Sequence, residues 1–329
     1  MEFTREYFDP VKKKGGEPFG ADGSVVFRAG RQPGDVYVYR PEVILALNVA
    51  IAVRRPLLIS GEPGSGKSTL AQNVAAVLGW RYYKHMITSR TQGSELLWRF
   101  DTLQRLNDAN AKKKELRLDQ AYVEPGTLWW AFDPQTAVHR GKNKLRAAAD
   151  RAVDPWQGEA RDPAIVLLDE IDKADPDVPN DLLEAFDLRA FTVRETGDRI
   201  QASATRQVLL VLTTNGEREL PPAFMRRCVT LVLRLKAEEE VDWFVQIARR
   251  RDPKIEEPLA REIAQEVSKL RQHARNDALR PPGTAEYLDA LNACRELNVR
   301  IGTPAWKQIE QNVLWKRDRP IPTTPAPAA

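Results

Sequence analysis

Apolar positions along the chain fall into two textures. In residues 41–53, Ile44, Leu47 and Ile51 recur at helical spacing behind Pro41, which suits a first helical turn, so a helix is predicted. Leu57-Leu58-Ile59-Ser60 is a short β-capable run that breaks into a glycine-rich turn. Leu70, Val74 and Val77 share one face of a helix predicted over residues 67–78, with Gly79 as its stop. Residues 82–87 read as a strand. Residues 165–168, 208–212 and 229–233 are continuous aliphatic runs, as expected of strands buried on both faces of a parallel sheet. Strands alternating with helices predict an α/β fold. Beyond about residue 236, segments 237–251, 258–274, 284–297 and 304–316 read as helices with no strand between them, which predicts a second, all-helical unit. Residues 1 to about 40, punctuated by Gly15, Gly16, Pro18, Gly20, Gly23, Gly30, Pro33 and Gly34, are expected to be irregular.

Composition narrows the class. With 329 residues, 42% hydrophobic and 29% charged, the chain suits a soluble protein of about two domains. Its longest apolar stretch, residues 43–53, is interrupted by Asn48 and is too short to cross a membrane. The opening MEFTREYFDP has no basic segment followed by an apolar one, so no secretory signal is expected. Cys228 and Cys294 predict reduced core thiols and a cytoplasmic location. The net charge of +4 and pI near 9.0 are mildly basic. The basic runs Lys12-Lys13-Lys14, Lys112-Lys113-Lys114 and residues 140–151 read first as solvated faces or loops. His85, His139 and His273 stand at no metal-ligand spacing, and Trp129-Trp130 read as core.

Four motifs carry chemistry. Gly61-Glu62-Pro63-Gly64-Ser65-Gly66-Lys67-Ser68, followed by Thr69, fits the pattern G-x-x-x-x-G-K-[ST] without deviation. Chance matches number about 0.01 for a chain of this length at a glycine frequency of about 7%. Glycines let the backbone curl so that its N–H groups face phosphate oxygens, and the helix start beneath adds positive potential. Lys67 is then expected to reach the β/γ-phosphates and Ser68 to ligate Mg²⁺. The run Ile165-Val166-Leu167-Leu168 ends in Asp169-Glu170, which sets two carboxylates at the sheet's carboxyl edge. Asp169 is expected to hold the magnesium and Glu170 to polarise an attacking water. Asn215, after Thr213-Thr214 at the end of another strand, either orients that water or caps a turn. Arg226-Arg227, ahead of Cys228, suit phosphate charge or a surface ion pair.

These four elements in this order resemble the AAA+ ATPases. The resemblance implies a P-loop NTPase fold, a parallel sheet flanked by helices, followed by a small all-α lid domain. It places Asn215 at the sensor-1 position and Arg227 at the arginine-finger position, with Arg226 the second choice. Within that family the chain looks most like the MoxR/dynein-related branch, on Tyr39-Arg40-Pro41, Gly61-Glu62-Pro63-Gly64, Val123-Glu124-Pro125-Gly126 before a Leu-Trp-Trp helix, and Pro179-Asn180-Asp181-Leu182-Leu183-Glu184. The implied division is an irregular segment over 1–35, an α/β nucleotide-binding domain over 36–235, a helical lid over 236–318 and a disordered tail over 319–329. The branch carries an insert in its second helix and a β-hairpin. Residues 92–100 are expected in the insert, and Phe191-Thr192-Val193 with Arg199-Ile200-Gln201 in the hairpin. Leu96, Leu97, Trp98 and Phe100 are then candidates for substrate contact, or else core. The long separation of Lys67 from Asp169 leaves residues 133–162 as an added basic loop or helix containing Trp156. Ala285 stands where many relatives carry the sensor-2 arginine, with Arg280 the available substitute.

The resemblance implies ATP and Mg²⁺ as ligands and ATP hydrolysis in a ring, a hexamer by family likeness, with Arg227 serving the adjacent subunit. It also implies remodelling of a protein client, for which a von Willebrand A-type domain protein is the family's suggestion, and no membrane. Two alternatives stand beside it. One is a nucleic-acid-stimulated motor or defence ATPase using the basic insert; the other is a switch or adaptor with little turnover.

Overall fold

The runs 165–168 and 208–212 become inner strands of a parallel sheet, and 229–233 becomes its edge strand, with Val232 47% exposed. The computed structural model describes residues 4–13, 15–19, 23–29, 36–111, 117–143, 150–156, 158, 162–235, 237–277 and 279–315. In chain order the elements are β1 (Gly16–Phe19), β2 (Ser24–Arg28), β3 (Val36–Tyr39), α1 (Pro41–Val53), β4 (Leu57–Gly61), α2 (Lys67–Leu78) and β5 (Arg81–Met86). They continue with β6 (Trp98–Phe100), α3 (Thr102–Asn110), β7 (Val123–Pro125), α4 (Thr127–Phe132), α5 (Pro134–Val138), β8 (Ala164–Asp169), α6 (Asp177–Asp181) and α7 (Leu183–Leu188). Then come β9 (Ala190–Thr192), β10 (Arg199–Gln201), β11 (Val208–Thr214), α8 (Pro222–Met225) and β12 (Val229–Leu233). Four helices follow: α9 (Glu240–Arg251), α10 (Glu257–Asn276), α11 (Thr284–Glu296) and α12 (Pro304–Ile309), the last continuing as a π-turn over Glu310–Trp315.

Two compact units result, Met1–Gly61 with Lys67–Leu233, and Glu62–Gly66 with Arg234–Ala329. The first is built on a five-stranded sheet of order β12-β4-β11-β8-β5 in which every pairing is parallel. Its residues alternate between two apolar layers with a period of two. Leu58, Val166, Leu168, Leu210 and Leu212 enter one layer. Leu57, Ile59, Ile165, Leu167, Leu209 and Val211 enter the other. The second unit has its own core, to which α10 contributes Ala260, Ile263, Ala264, Val267 and Leu270 at helical spacing.

Three expectations are corrected. The stretch 1 to about 40 is not irregular: β1, β2 and β3 form an antiparallel sheet. Gly16 and Pro18 lie within β1, Gly15 and Gly23 beside strands, and Val25, Phe27 and Tyr39 pack with Phe8 beside α1; Gly20, Gly30, Pro33 and Gly34 lie outside the described residues. Asn48 anchors this segment, accepting from the Tyr7 and Phe8 amides at 3.0 Å each and donating to the Phe8 carbonyl at 2.8 Å.

Residues 92–100, expected in the insert, form a 3-10 turn, Gly93–Leu96, followed by β6, which pairs antiparallel with β7. Leu96, Leu97 and Trp98 are buried and Phe100 packs against the same core, so these candidate contact residues are structural. Trp98 stacks on Phe191 with centroids 5.7 Å apart, and its indole N–H donates to Glu195 at 2.8 Å.

The third correction is smaller. The last predicted helix changes to a π-turn after Ile309.

The β9–β10 hairpin pairs as the sequence suggests. Trp156 packs against the first core layer, and Trp129 and Trp130 are buried in it. Lys14, Lys112-Lys113-Lys114, residues 144–149 of the basic stretch and the tail over 319–329 lie outside the described residues. Among the described residues no helix is long and apolar enough to cross a membrane.

Candidate active site

The turn between β4 and α2 carries the glycine-rich motif. Gly64 and Gly66 adopt φ of +76° and +89°, the left-handed region that glycine enters at no steric cost. A Cβ on Gly64 would also lie 3.3 Å from the Gly283 Cα and from Glu286 Oε2. At the start of α2, Lys67 is 7% exposed and its ammonium donates to the Gly61 carbonyl at 2.6 Å. Its charge is therefore held against the turn rather than in solvent. The Ser65 hydroxyl is buried with no partner. A positively charged, N–H-lined turn with an unsatisfied hydroxyl fits a polyphosphate.

Sheet order brings the other groups to that turn. Strand β11 lies between β4 and β8, so the residues ending β11 stand between the glycine-rich turn and Asp169. The Ser68 hydroxyl donates to Asp169 Oδ1 at 2.7 Å. The Thr213 hydroxyl donates to the same oxygen at 2.6 Å, and the Lys84 ammonium sits 3.1 Å from Asp169 Oδ2. Burial pushes the Asp169 carboxyl up, but the Thr213, Ser68 and Lys84 hydrogen bonds and the Lys84 charge outweigh it. The net shift is downward, so Asp169 is held as a carboxylate. One carboxylate and one adjacent hydroxyl fit Mg²⁺, which takes few protein ligands and completes its shell with water and phosphate oxygens. Among the described residues no group of three or more His, Cys, Asp and Glu could hold a metal by itself.

Glu170 follows in a left-handed conformation, φ +62° and ψ +51°, which is strained for a residue with a side chain. Its amide donates to the Thr213 Oγ1 at 2.8 Å. Its carboxylate accepts from Asn215 Nδ2 at 3.1 Å and from Lys173 Nζ at 2.7 Å. Asp172, 2% exposed, accepts the Asn215 and Glu217 amides at 3.1 and 2.9 Å, which fixes the β11 loop to the β8 turn. Lys67, Ser68, Asp169, Glu170 and Asn215 thus meet at one edge of one sheet.

Arg227 stands elsewhere. It follows α8, its Nε pairs with Asp187 Oδ2 at 2.7 Å and its Nη1 donates to the Ala223 carbonyl at 2.8 Å. It forms no hydrogen bond or ion pair with Asp169 or Glu170. The Arg226 carbonyl accepts from Arg55 Nη1 at 3.3 Å. Arg280 pairs with Glu286 at 3.0 Å.

Several participants were missed from sequence. Thr213, Lys84, Lys173 and Asp172 lie beside expected residues, yet nothing in their spacing marks them. Within the second unit, buried Arg271 donates to Glu62 Oε2 at 2.7 Å, to Glu240 Oε1 at 2.8 Å and to the Pro282 carbonyl at 2.6 Å. Arg275 also bonds Glu240. An arginine on the apolar face of α10, next to Leu270, was the available signal. Burial pushes the Cys228 thiol up to about 12 and the Cys294 thiol up to about 11, which disfavours the thiolate at both.

Comparison with known proteins gives one family. The model described as "AAA domain (dynein-related subfamily)" matches residues 56–228, from the strand before the glycine-rich turn to the residue after Arg227. No curated protein matches the chain. Among solved structures, two single-substitution mutants of Thermotoga maritima RuvB each share 17% identity over 79% of this chain. They are covered to 69% and 68%, with TM-scores of 0.37 and 0.38.

Proposed function

Because the chain belongs to the dynein-related subfamily of AAA domains, we propose that it is a Mg²⁺-dependent ATPase of MoxR type. Its turnover remodels a protein partner while the chain works as a ring oligomer in the cytoplasm. The observation that carries the reading is the continuous set of contacts from Ser68 through Asp169 and Thr213 to Glu170 and Asn215.

The chain's own residues supply the steps. The turn's N–H groups from Gly61 to Ser68, and Thr69 beyond them, receive the phosphates of ATP. Lys67 transfers its hydrogen bond from the Gly61 carbonyl to the β/γ-phosphate oxygens. Ser68 and Asp169 would hold Mg²⁺, which when bound neutralises charge on those phosphate oxygens. Glu170 accepts the proton of the water that attacks the γ-phosphorus as the bond to the ADP oxygen breaks. Asn215 holds one Glu170 oxygen, which leaves the other for that water once Lys173 yields it.

Arg227 is the finger of this reading. Its Asp187 partner is exposed. A weak surface pair of this kind costs little to give up, which suits an arginine that serves an adjacent subunit. A protein client is favoured over nucleic acid because Arg140, the described start of the basic stretch, is committed to backbone. It donates to the Asp150 and Val123 carbonyls at 2.7 Å each. A von Willebrand A-type domain protein is the client class we propose.

Phosphate release from ATP by the purified chain tests the reading. Turnover should require Mg²⁺ and stop on chelation. ATP binding without turnover would make the chain a switch, and steep salt-sensitive stimulation by DNA would make it a nucleic-acid motor.

A further inference from the structure

Two arginines close helices in the first unit with their backbones in the left-handed region. Arg54 ends α1 at φ +54° and Arg189 ends α7 at φ +50°. Non-glycine residues keep such conformations only where their surroundings hold them. Both side chains line one cavity of about 120 Å³, together with Trp80, Gln207 and Tyr7. Trp80 immediately precedes β5, Gln207 immediately precedes β11, and Arg54 lies between α1 and β4. The cavity therefore sits at the amino-terminal edge of the parallel sheet. The glycine-rich turn, which leaves the carboxyl end of β4, is at the opposite edge.

The charge in this cavity is unbalanced. Among the described residues no carboxylate lines it, and neither Arg54 nor Arg189 forms an ion pair. Each guanidinium has a single carbonyl partner: Arg54 Nη1 donates to Ala204 at 3.2 Å and Arg189 Nη2 to Arg206 at 2.6 Å. Burial, and then the charges of Arg54 and Arg206, push Arg189 below the usual arginine range. Arg206, outside the cavity lining, pairs with Asp162 at 3.6 Å, and its Nη2 is buried without a partner. Converging like charges work against folding, and an anion between them removes the conflict.

We propose that Arg54 and Arg189 form a binding site for a tetrahedral phosphate group, separate from the ATP site. The planar guanidinium fork matches phosphate oxygens two at a time. The volume holds about four waters at roughly 30 Å³ each, the size of a tetrahedral oxyanion and well short of a nucleoside. The Gln207 amide adds a neutral donor, and Trp80 and Tyr7 form aromatic walls. The phosphate arrives either as free orthophosphate or as the terminal group of a small phosphomonoester.

Calorimetric titration of orthophosphate into the full chain, with ionic strength held by chloride, tests the site. The Lys67→Ala protein is the reference, so that phosphate held at the glycine-rich turn does not contribute. We expect one saturable site there, and Arg54→Gln or Arg189→Gln added to it should weaken binding by about tenfold or more, the loss of a charge-assisted contact. Arg54 is exposed, so its variant keeps the test sound if Arg189→Gln impairs folding, which thermal melting reports. Titration with glycerol 3-phosphate separates the sources: tighter binding than orthophosphate assigns the site to a monoester, weaker binding to free phosphate. No saturable binding, or binding that both arginine variants leave unchanged, would overturn the proposal.

Discussion

Asn215 Nδ2 donates to Glu170 Oε1 at 3.1 Å, joining the loop after β11 to the carboxylate that follows β8. The strand order makes the contact possible, because β11 and β8 are neighbours with Leu212 opposite Leu168. Removing the amide frees that Glu170 oxygen without touching the glycine-rich turn. Asn215→Ala should therefore bind ATP with unchanged affinity and turn over about tenfold or more slowly, as misplaced acid–base groups do. Equilibrium binding and steady-state turnover, measured on one preparation, check the two halves separately.

Thr213 supports both carboxylates at once, donating to Asp169 and accepting from the Glu170 amide. Thr213→Val leaves the Glu170 N–H unsatisfied and should cost about 1–3 kcal/mol of stability near neutral pH. The pH dependence has a definite sign. Asp169 titrates lower in the folded chain than in the unfolded one. Its stabilisation is thus fully present above the unfolded carboxylate value and is lost as pH falls through the folded value. Thr213→Val raises the folded value, so the stability difference from wild type should shrink on acidification. Urea midpoints across that range measure it.

Arg271 and Glu240 form a buried pair in the second unit, with Arg275 as a further partner of Glu240. Arg271→Ala removes the buried partner of Glu240, which keeps Arg275 and the Ser268 hydroxyl, and should destabilise the chain by about 3 kcal/mol, the lower end for a broken buried pair. It also removes one of the Glu62 contacts and leaves the 4.0 Å pair with Arg275. Denaturant unfolding reads the first effect, and protease sensitivity at the glycine-rich turn reads the second.

How much of this was legible follows from where each signal resides. Runs such as 165–168 announce strands because burial on both faces demands unbroken aliphatic sequence, and Gly64, Gly66 and Lys67 announce a phosphate turn because few sequences curl that way. The N-terminal sheet was hidden because its strands are short and its stability comes from Phe8, Val25 and Phe27 packing on α1, a tertiary effect. Trp98 and Phe100 looked like candidate contact residues because apolar spacing alone does not separate a face turned to a partner from one turned to the core. The Lys173–Glu170 pair is local, three residues apart, but the hydrogen bonds of Thr213 to Asp169 and from the Glu170 amide depend on β8 and β11 being adjacent. No local pattern encodes that adjacency.

The finger assignment has a test that needs no assembly structure. Arg227→Ala should bind ATP normally and hydrolyse it poorly. Mixed with Lys67→Ala in a ring, an Arg227→Ala subunit supplies a working glycine-rich turn and its neighbour a working arginine. Hydrolysis by the mixture should exceed that of either variant alone. Failure to recover at any ratio, with subunits exchanging freely, would place Arg227 in a structural role and make Arg226 the next residue to test.

Glu170→Gln, assayed for ATP binding and for phosphate release, tests the central claim most directly. The amide keeps the size and the Asn215 contact of the carboxylate but does not accept a proton. We predict that the variant binds Mg·ATP with wild-type affinity and hydrolyses it at least about a hundredfold more slowly, the usual loss when acid–base assistance is removed. Wild-type turnover by Glu170→Gln would contradict the account.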